Sequence, residues 1–178
     1  MGLNFTKEQR LMLLMICDLY KKPEKREFNP EIIASAIVGG HDWAIDWEYG
    51  AVFPEKPDSD ADVSFVTDVL DMWRFIESGY SKLKAPDKSK IEAAVPHRGK
   101  DPKFPGFDGN NETSYMGIAR MMIDGLGRWD SFKGRSLNSH MPTVSRYRKM
   151  LPKWPDIRNK LHDREMSADE IIELLSAS

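Results

Sequence analysis

Two side chains in "RSLNSH" have the types and the spacing that acid–base chemistry on a phosphate ester requires. Arg135 and His140 are separated by four residues. A histidine can move the proton of a ribose 2′-hydroxyl, and an arginine can hold the neighbouring phosphate through paired N–H groups. One alternative for this chain is therefore metal-independent cleavage of RNA by Arg135 and His140.

This spacing fits the Arg-x4-His pattern of RNases of the HEPN type, which are also all-helical. The pattern carries little information, because the chain has 11 arginines and 4 histidines in 178 residues and a match arises readily by chance. The segment also has the composition of a loop rather than of the helix that carries such a pair. The RNase stays an alternative.

A larger group of polar side chains surrounds this pair. The stretch "GFDGNNETSYMGIAR" places more polar residues before an amphipathic helix than one helix cap requires. Asn110 or Asn111 suits the cap, and Glu112 suits the first helical turn, where its charge meets the helix dipole. We expect this stretch to meet "LNSH" in one polar junction, with two arginines as charge partners. The junction is either structural or lines a pocket for a ligand or partner. Its candidate residues are Asp108, Asn110, Asn111, Glu112, Arg128, Asn138, Ser139, His140 and Arg146.

The aspartates, histidines and the single cysteine of this chain do not have the spacing of a known metal-binding motif. Asp58, Asp60 and Asp62 alternate as in a calcium loop. The sixth and twelfth positions of that loop would need glycine and glutamate, but they hold Val63 and Val69. The four histidines stand far apart and do not form a zinc pattern with the single cysteine. We expect no metal and no cofactor.

Charge is distributed unevenly along the chain. Residues 1–81 carry 8 basic and 15 acidic side chains, residues 82–164 carry 18 and 9, and residues 165–178 carry 0 and 4. The formal net charge of −2 therefore conceals a basic middle. This pattern favours either an anion-binding face or contacts between acidic and basic parts, within the chain or across a homo-oligomer. A nucleic-acid-binding module is a further alternative.

The compartment is indicated by the single cysteine and by hydropathy. Cys17 lies in the apolar run "LMLLMICDLY", which is typical of a buried thiol in a reducing compartment. The chain opens without the pattern of a signal peptide, and its apolar runs are too short to span a bilayer. We expect a cytoplasmic protein without membrane contact.

The elements that must position these residues are predicted to be helices throughout, without a β-sheet. Capping boxes at "TKEQ" and "SADE" start the first and last helices, and "NPE" starts the second. The first helix is expected to end before Pro23. Apolar spacing predicts further helices over "DWAIDWEY", residues 60–83, residues 111–126 and "MPTVSRYRKML". Gly79 is expected to loosen the end of the 60–83 helix. Residues 84–106 hold four prolines and mixed charge, which predicts an exposed connection with one short helix around Ile91 to Val95.

Four stretches, in this order, resemble the YfbU family: "FTKEQRLMLLMICDLY", "GFDGNNETSYMGIARMMIDGLGRWDSF", "LNSHMPTVSRYRKMLPKW" and "MSADEIIELL". The resemblance implies a bacterial, cytoplasmic, mainly helical protein with no established biochemical activity. It implies an N-terminal helical hairpin-like unit packed on a larger, orthogonal helical domain. We therefore expect subdomains over residues 1–57 and 58–178 that share one core. The family supplies no catalytic residues to carry over.

Together these observations predict a non-enzymatic protein that acts through a protein partner or through self-association. A homo-oligomer with a regulatory, stress-related role is the expected form. The two alternatives, an RNase using Arg135 and His140 and a nucleic-acid-binding module, stay open.

Overall fold

The computed structural model describes residues 4–20, 28–50 and 57–177. Within these ranges every regular element is helical, which confirms the predicted all-α class. Strand-like pairing in the same ranges is limited to one isolated parallel bridge between Phe107 and Asn138. None of the described helices is both long and apolar enough to cross a lipid bilayer. The chain divides into two compact units, Met1–Pro57 (unit 1) and Asp58–Ser178 (unit 2).

The described residues of unit 1 form three helices whose starts follow the local sequence. They are α1 (Lys7–Leu19), α2 (Pro30–Gly39) and α3 (Asp42–Tyr49). The predicted capping box is confirmed, because the Thr6 hydroxyl accepts from the Gln9 amide while the Gln9 side chain accepts from the Thr6 amide. The predicted cap at Asn29 is confirmed as well. The predicted stop of α1 at Pro23 lies outside the described residues.

One arginine ties the three helices of unit 1 together. The Arg10 guanidinium of α1 forms a two-pronged ion pair with Asp42, the first residue of α3. It also donates to the carbonyl of Ile37 near the end of α2, at 3.3 Å. Beneath it lies a small core formed by Ala36, Ile37, Ile45 and Tyr49.

Unit 2 is built around one long helix. Its helices are α4 (Asp60–Lys82), α5 (Ala85–Ala94), α6 (Thr113–Arg120), α7 (Val144–Met150), α8 (Trp154–Arg158) and α9 (Ala168–Ser176). The apolar stripe of α4 is fully buried at Val66, Leu70 and Ile76, against α6 and α9. The predicted capping box at Ser167 starts α9 and is confirmed.

The prediction of an exposed connection over residues 84–106 is wrong for much of that segment. The helix predicted around Ile91 to Val95 is longer and begins earlier, because residues 85–94 form α5, which packs against α9. Ile91, Val95 and Phe104 are buried in the core of unit 2. The segment reaches the core with few, widely spaced apolar side chains, so its pattern is too sparse to be recognised as amphipathic.

The helix predicted over residues 111–126 is shorter and changes its winding. α6 covers Thr113–Arg120 and continues as a single π-turn over Met121–Gly125. Glu112 occupies the N-cap position, although its side chain does not cap α6. The predicted cap at Asn110 or Asn111 is therefore wrong. Glu112 turns away from α6 because it bonds to a different helix, as described below.

Two helical glycines provide a matched test of packing in unit 2. A Cβ added at Gly79 would lie 2.8 Å from the Cβ of Met166, whereas one added at Gly117 would meet nothing within 4 Å. We expect Gly79→Ala to lower the free energy of unfolding by about 1–3 kcal/mol through overpacking. Gly117→Ala should raise it by about 0.4–1 kcal/mol, because the unfolded chain loses freedom. Urea titration of both variants measures these changes, and equal effects would contradict the close contact at Gly79.

Candidate functional site

The structure brings the two predicted polar segments side by side. The Phe107 amide donates to the Leu137 carbonyl at 2.9 Å, and the Ser139 amide donates to the Phe107 carbonyl at 3.0 Å. This approach requires glycine at position 106, where φ is +86° and an added Cβ would lie 2.1 Å from the Leu137 carbonyl oxygen. Only a residue without a side chain fits there.

Asn138 joins the two segments through its side chain. Its Oδ1 accepts from the Gly109 amide at 3.0 Å and from the His140 amide at 2.9 Å. A Cβ at Gly109 would lie 2.7 Å from the Asn138 Nδ2, so this position also favours glycine. The Ser139 hydroxyl donates to the Met141 carbonyl at 2.6 Å. These bonds fix the loop that follows Leu137.

Asp108 organises the turn that precedes α6. Its Oδ1 accepts from the Asn110 amide at 3.0 Å, and its Oδ2 accepts from the Asn111 side chain. The Asn110 amide, then the Asn111 side chain, hold the pKa of the buried Asp108 carboxyl below its ordinary value, and the charge of His140 adds to this. This is the pattern of an Asx-turn, in which the side chain bonds the backbone two residues on.

Glu112 is the centre of the junction, and all of its bonds are to protein donors. Its Oε1 accepts from the amides of Thr143 and Val144, both at 2.8 Å. Its Oε2 accepts from the Asp108 amide and from the Thr143 hydroxyl, both at 2.9 Å. The carboxylate therefore caps the start of α7, whose first amides have no partner within the helix.

The carboxylate of Glu112 is stabilised in its charged form despite being buried. Burial alone would raise its pKa, but the amides of Asp108 and Val144, with the hydroxyl and amide of Thr143, lower it below the ordinary value of 4.5. A carboxylate that accepts several N–H bonds behaves in this way. The sequence analysis missed the role of Thr143. A threonine directly before "VSRYRKML" is a helix-start signal, but its partner lies 31 residues away.

The hydrogen bonds of the junction favour its structural interpretation. The carboxylates of Asp108 and Glu112 and the amide oxygen of Asn138 all accept from groups of the chain itself. A ligand entering the junction would have to break these bonds, and the buried groups would lose their partners.

Four predicted members of the junction take no direct part in this network through their side chains, and the first of them, Asn110, joins it only through its backbone amide. Arg128 is exposed and makes no side-chain bond to any residue that the structure describes. Arg146 also lacks an acidic partner among the described residues, and its Nε is buried without an acceptor. His140 is exposed, with a left-handed backbone φ of 56°. The expectation that both arginines pair with the junction carboxylates is therefore not met.

Arg135, the phosphate-binding residue of the RNase alternative, is already engaged. Its guanidinium makes two bonds of 2.9 Å to the carboxylate of Glu77 and lies over the ring of Phe132, 5.1 Å from its centroid. Glu77 in turn accepts from the Phe104 amide at 2.6 Å. The guanidinium N–H groups that would hold a phosphate are therefore used to join α4 to the loop before Phe107. This geometry gives the RNase alternative no support.

A different surface stands out in unit 1. Among the described residues, fifteen large apolar side chains are exposed, and eleven of them lie in this smaller unit. Exposed apolar groups that cluster, rather than scatter, mark surfaces that contact something else. The eleven are Leu11, Met12, Met15, Ile16, Leu19, Tyr20, Phe28, Ile32, Val38, Trp43 and Trp47.

Helix α1 contributes a continuous part of this surface, which we call the α1 stripe: Leu11, Met12, Met15, Ile16 and Leu19. Met12, Met15, Ile16 and Leu19 follow the i, i+3, i+4, i+7 spacing that places side chains on one helix face. On the opposite face, Leu13 and Leu14 pack against the core of unit 1, and Cys17 is buried. α1 is therefore apolar on two faces, and among the described residues only one of these faces packs against the core of unit 1.

We expect Glu112→Gln to destabilise unit 2 by about 2–3 kcal/mol at neutral pH, because an amide cannot accept four bonds and carries a donor. The unfolded chain takes up the Glu112 proton first as the pH falls, since the folded pKa is lower than 4.5. The stabilisation by the Glu112 carboxylate is complete above the ordinary pKa of 4.5, and it is lost as the pH falls through the lower pKa of the folded state. Urea titrations at neutral pH and near pH 3 should show that the difference in free energy of unfolding between wild type and variant becomes smaller at the lower pH.

The control for this experiment is Glu92→Gln. Glu92 is exposed on α5, and no bond ties its side chain to another described residue. Its substitution should change the free energy of unfolding by no more than about 0.5 kcal/mol. Equal stability of the two variants at neutral pH would show that the carboxylate of Glu112 does not hold α7.

Comparison with known proteins agrees with the family that the motifs quoted above indicate. The family profile of the YfbU domain matches residues 3–177. The chain is also similar to UPF0304 protein MJECS11 of Methanocaldococcus jannaschii, with 29% identity over 177 residues. That alignment covers 97% of this chain and 99% of the relative. Because the profile spans almost all of the sequence, the chain belongs to the YfbU family.

Proposed function

We propose that this chain is a non-enzymatic, cytoplasmic protein that acts through protein contacts, and that its first contact is with a second copy of itself through the α1 stripe. The exposed stripe on α1 is the observation that carries the proposal. A surface helix normally buries its single apolar face, and a helix that is apolar on two faces is typical of one covered on both. A regulatory role would follow from association rather than from chemistry.

The composition of the α1 stripe suits pairing with an identical surface. In a two-fold symmetric contact each residue near the axis meets its own copy, so a charge there would face a like charge. None of the five residues of the stripe is charged. α1 has 13 residues, about 20 Å in length, which is enough for two copies to pack along several helical turns.

The area available is close to what a stable dimer needs. At roughly 60–120 Å² for each fully buried aliphatic side chain, the α1 stripe offers about 300 Å² per copy. Trp43 and Trp47 of α3 are 61% and 84% exposed and pack edge to face at 6.0 Å. They offer about 300 Å² more. Covering both features in two copies would bury roughly 1,200 Å², the lower edge of stable interfaces.

Met15 and Met121 provide a matched pair of variants for this proposal. Both are methionines with 60% exposure, but Met15 lies in the α1 stripe and Met121 lies in unit 2. We expect the wild type to sediment at twice the chain mass of 20.4 kDa. Met15→Glu should sediment at the chain mass, because two carboxylates would face each other in an apolar contact. Met121→Glu should remain a dimer.

Circular dichroism should show unchanged helix content in both variants, because the substituted side chains are exposed. A wild type that sediments at the mass of one chain at about 50 μM would overturn self-association. A dimer that survives Met15→Glu would show that the contact lies elsewhere.

The proposal also predicts that the purified chain leaves RNA intact. His140 is exposed, so His140→Ala removes no buried side chain and serves as the test of the alternative. Cleavage of RNA by the wild type that disappears in His140→Ala would contradict a non-enzymatic role. Oligonucleotide binding that weakens steeply with salt would instead favour the nucleic-acid-binding module.

A further inference from the structure

Two methionines occupy the middle of the α1 stripe. Met12 and Met15 are three residues apart on α1, a spacing that makes side chains neighbours on one helix face. Leu11, Ile16 and Leu19 lie around them on the same helix. Both methionines are 60% exposed in the folded chain. Their thioether groups are therefore open to small molecules in the solvent whenever the stripe is uncovered.

Exposure separates these two residues from most other methionines of the chain. Of the nine methionines that the structure describes, four are buried and one is half-buried. The other exposed ones are Met121 and Met141, both in unit 2. An oxidant that attacks accessible thioethers would therefore reach four described methionines first, and half of these four lie in the α1 stripe.

The single thiol of the chain is shielded from such an oxidant. Cys17 is buried on the opposite face of α1, and burial raises its pKa, so the thiol stays protonated at neutral pH. The thiolate, rather than the thiol, is the reactive form of cysteine. The exposed sulfur atoms of unit 1 that the structure describes are therefore the two thioethers of the stripe.

We propose that Met12 and Met15 are sites of reversible oxidation by a peroxide, and that their oxidation separates two copies of the chain. This inference rests on the proposed self-association through the α1 stripe. At each site the sulfur attacks the peroxide, so that an S–O bond forms, the O–O bond breaks, and hydrogen peroxide leaves as water. The sulfur is oxidised to a sulfoxide while the peroxide is reduced. Two thiols of a sulfoxide reductase reverse the step, becoming a disulfide and releasing the oxygen as water.

The sulfoxide opposes the contact because its oxygen is a polar acceptor that finds no donor there. Every side chain of the α1 stripe is apolar, so neither copy offers an N–H or O–H group from the stripe to a buried sulfoxide. Two oxidised methionines in each copy place four such oxygens in one dimer. The dissociation constant of the dimer should therefore rise about a hundredfold or more. The fold of the single chain should be kept, because both side chains already face solvent.

Sedimentation of the wild type before and after treatment with hydrogen peroxide is the first measurement. The untreated chain should sediment as a dimer, and the treated chain at the single-chain mass of 20.4 kDa with unchanged helix content. Peptide mass spectrometry should locate one added oxygen on each of Met12 and Met15. A treated dimer that carries both sulfoxides would overturn the inference and leave the proposed self-association intact. An untreated wild type of single-chain mass would overturn both.

Matched double variants assign the effect of peroxide to the stripe. Met12→Leu with Met15→Leu removes both sulfur atoms and keeps apolar side chains of similar volume. The dissociation constant of this variant is measured first without peroxide, and peroxide should then leave it unchanged. Met121→Leu with Met141→Leu is the same change in unit 2, and its dimer should respond to peroxide as the wild type does. Equal responses of the two double variants would contradict the assignment.

The rate of oxidation provides a test on the wild type alone. Because the dimer covers the stripe, the rates at Met12 and Met15 should fall about tenfold or more between protein concentrations well below and well above the dissociation constant. Met121 has the same 60% exposure and should react at one rate throughout. Rates at the three sites that stay equal in a sample sedimenting as a dimer would refute the burial of these methionines.

Reversibility is tested on the oxidised wild type. Methionine sulfoxide reductases for both sulfoxide epimers, supplied with a thiol, should restore the thioethers and with them the dimer. A chain whose thioethers are restored but which keeps the single-chain mass would show that the oxidation damaged the protein rather than switched it, and would overturn the inference.

Discussion

The carboxylate of Glu112 is the interaction on which unit 2 depends. It bonds the turn at Asp108 to the first amides of α7, and so fixes residues 106–112 against residues 137–144. A buried carboxylate would be unfavourable alone, but four donors and the positive end of α7 replace the water that it loses. Because both its oxygens are used, the loop and the helix can be placed in only one way relative to each other.

The aromatic core follows from this constraint. Phe107, held by the junction, packs against Tyr147 and Phe104 with ring centroids 5.5 and 5.9 Å away. Tyr147 donates its hydroxyl to the Gly106 carbonyl at 2.7 Å, and burial raises its pKa, so the hydroxyl keeps the proton that this bond needs. The Thr143 hydroxyl has one proton, and since Tyr147 already serves the carbonyl of Gly106, that proton can go to Glu112. The polar junction and the apolar core are therefore connected through Phe107 and Tyr147, which take part in both.

The parts of this fold that the sequence predicted are those determined locally. The caps at Thr6, Asn29 and Ser167 and the stripe of α4 depend on residues a few positions apart. The failures involve distant partners. Gly79 suggested a loosened helix end, but α4 continues to Lys82 and the glycine admits Met166. Glu112 was placed in the dipole of its own helix, whereas it caps α7, and no local pattern reports a partner 31 residues away.

The two units differ in how far their own residues pair the polar groups and bury the apolar side chains of the unit. In unit 2 the buried carboxylates of Asp71, Asp108 and Glu112 find partners inside the unit, whereas α1 of unit 1 exposes an apolar face that no described residue covers. A unit of fewer than 60 residues buries a smaller fraction of its surface than a larger one, so its own core contributes less to folding. In the proposed dimer, α1 would supply from the second copy the burial that its own unit lacks. Association and the stability of unit 1 would then be one equilibrium, because a partner that binds only the folded form stabilises it by mass action. A protein with such a coupling responds to its own concentration without any catalytic group, which is how a helical protein of this family could act through contacts alone.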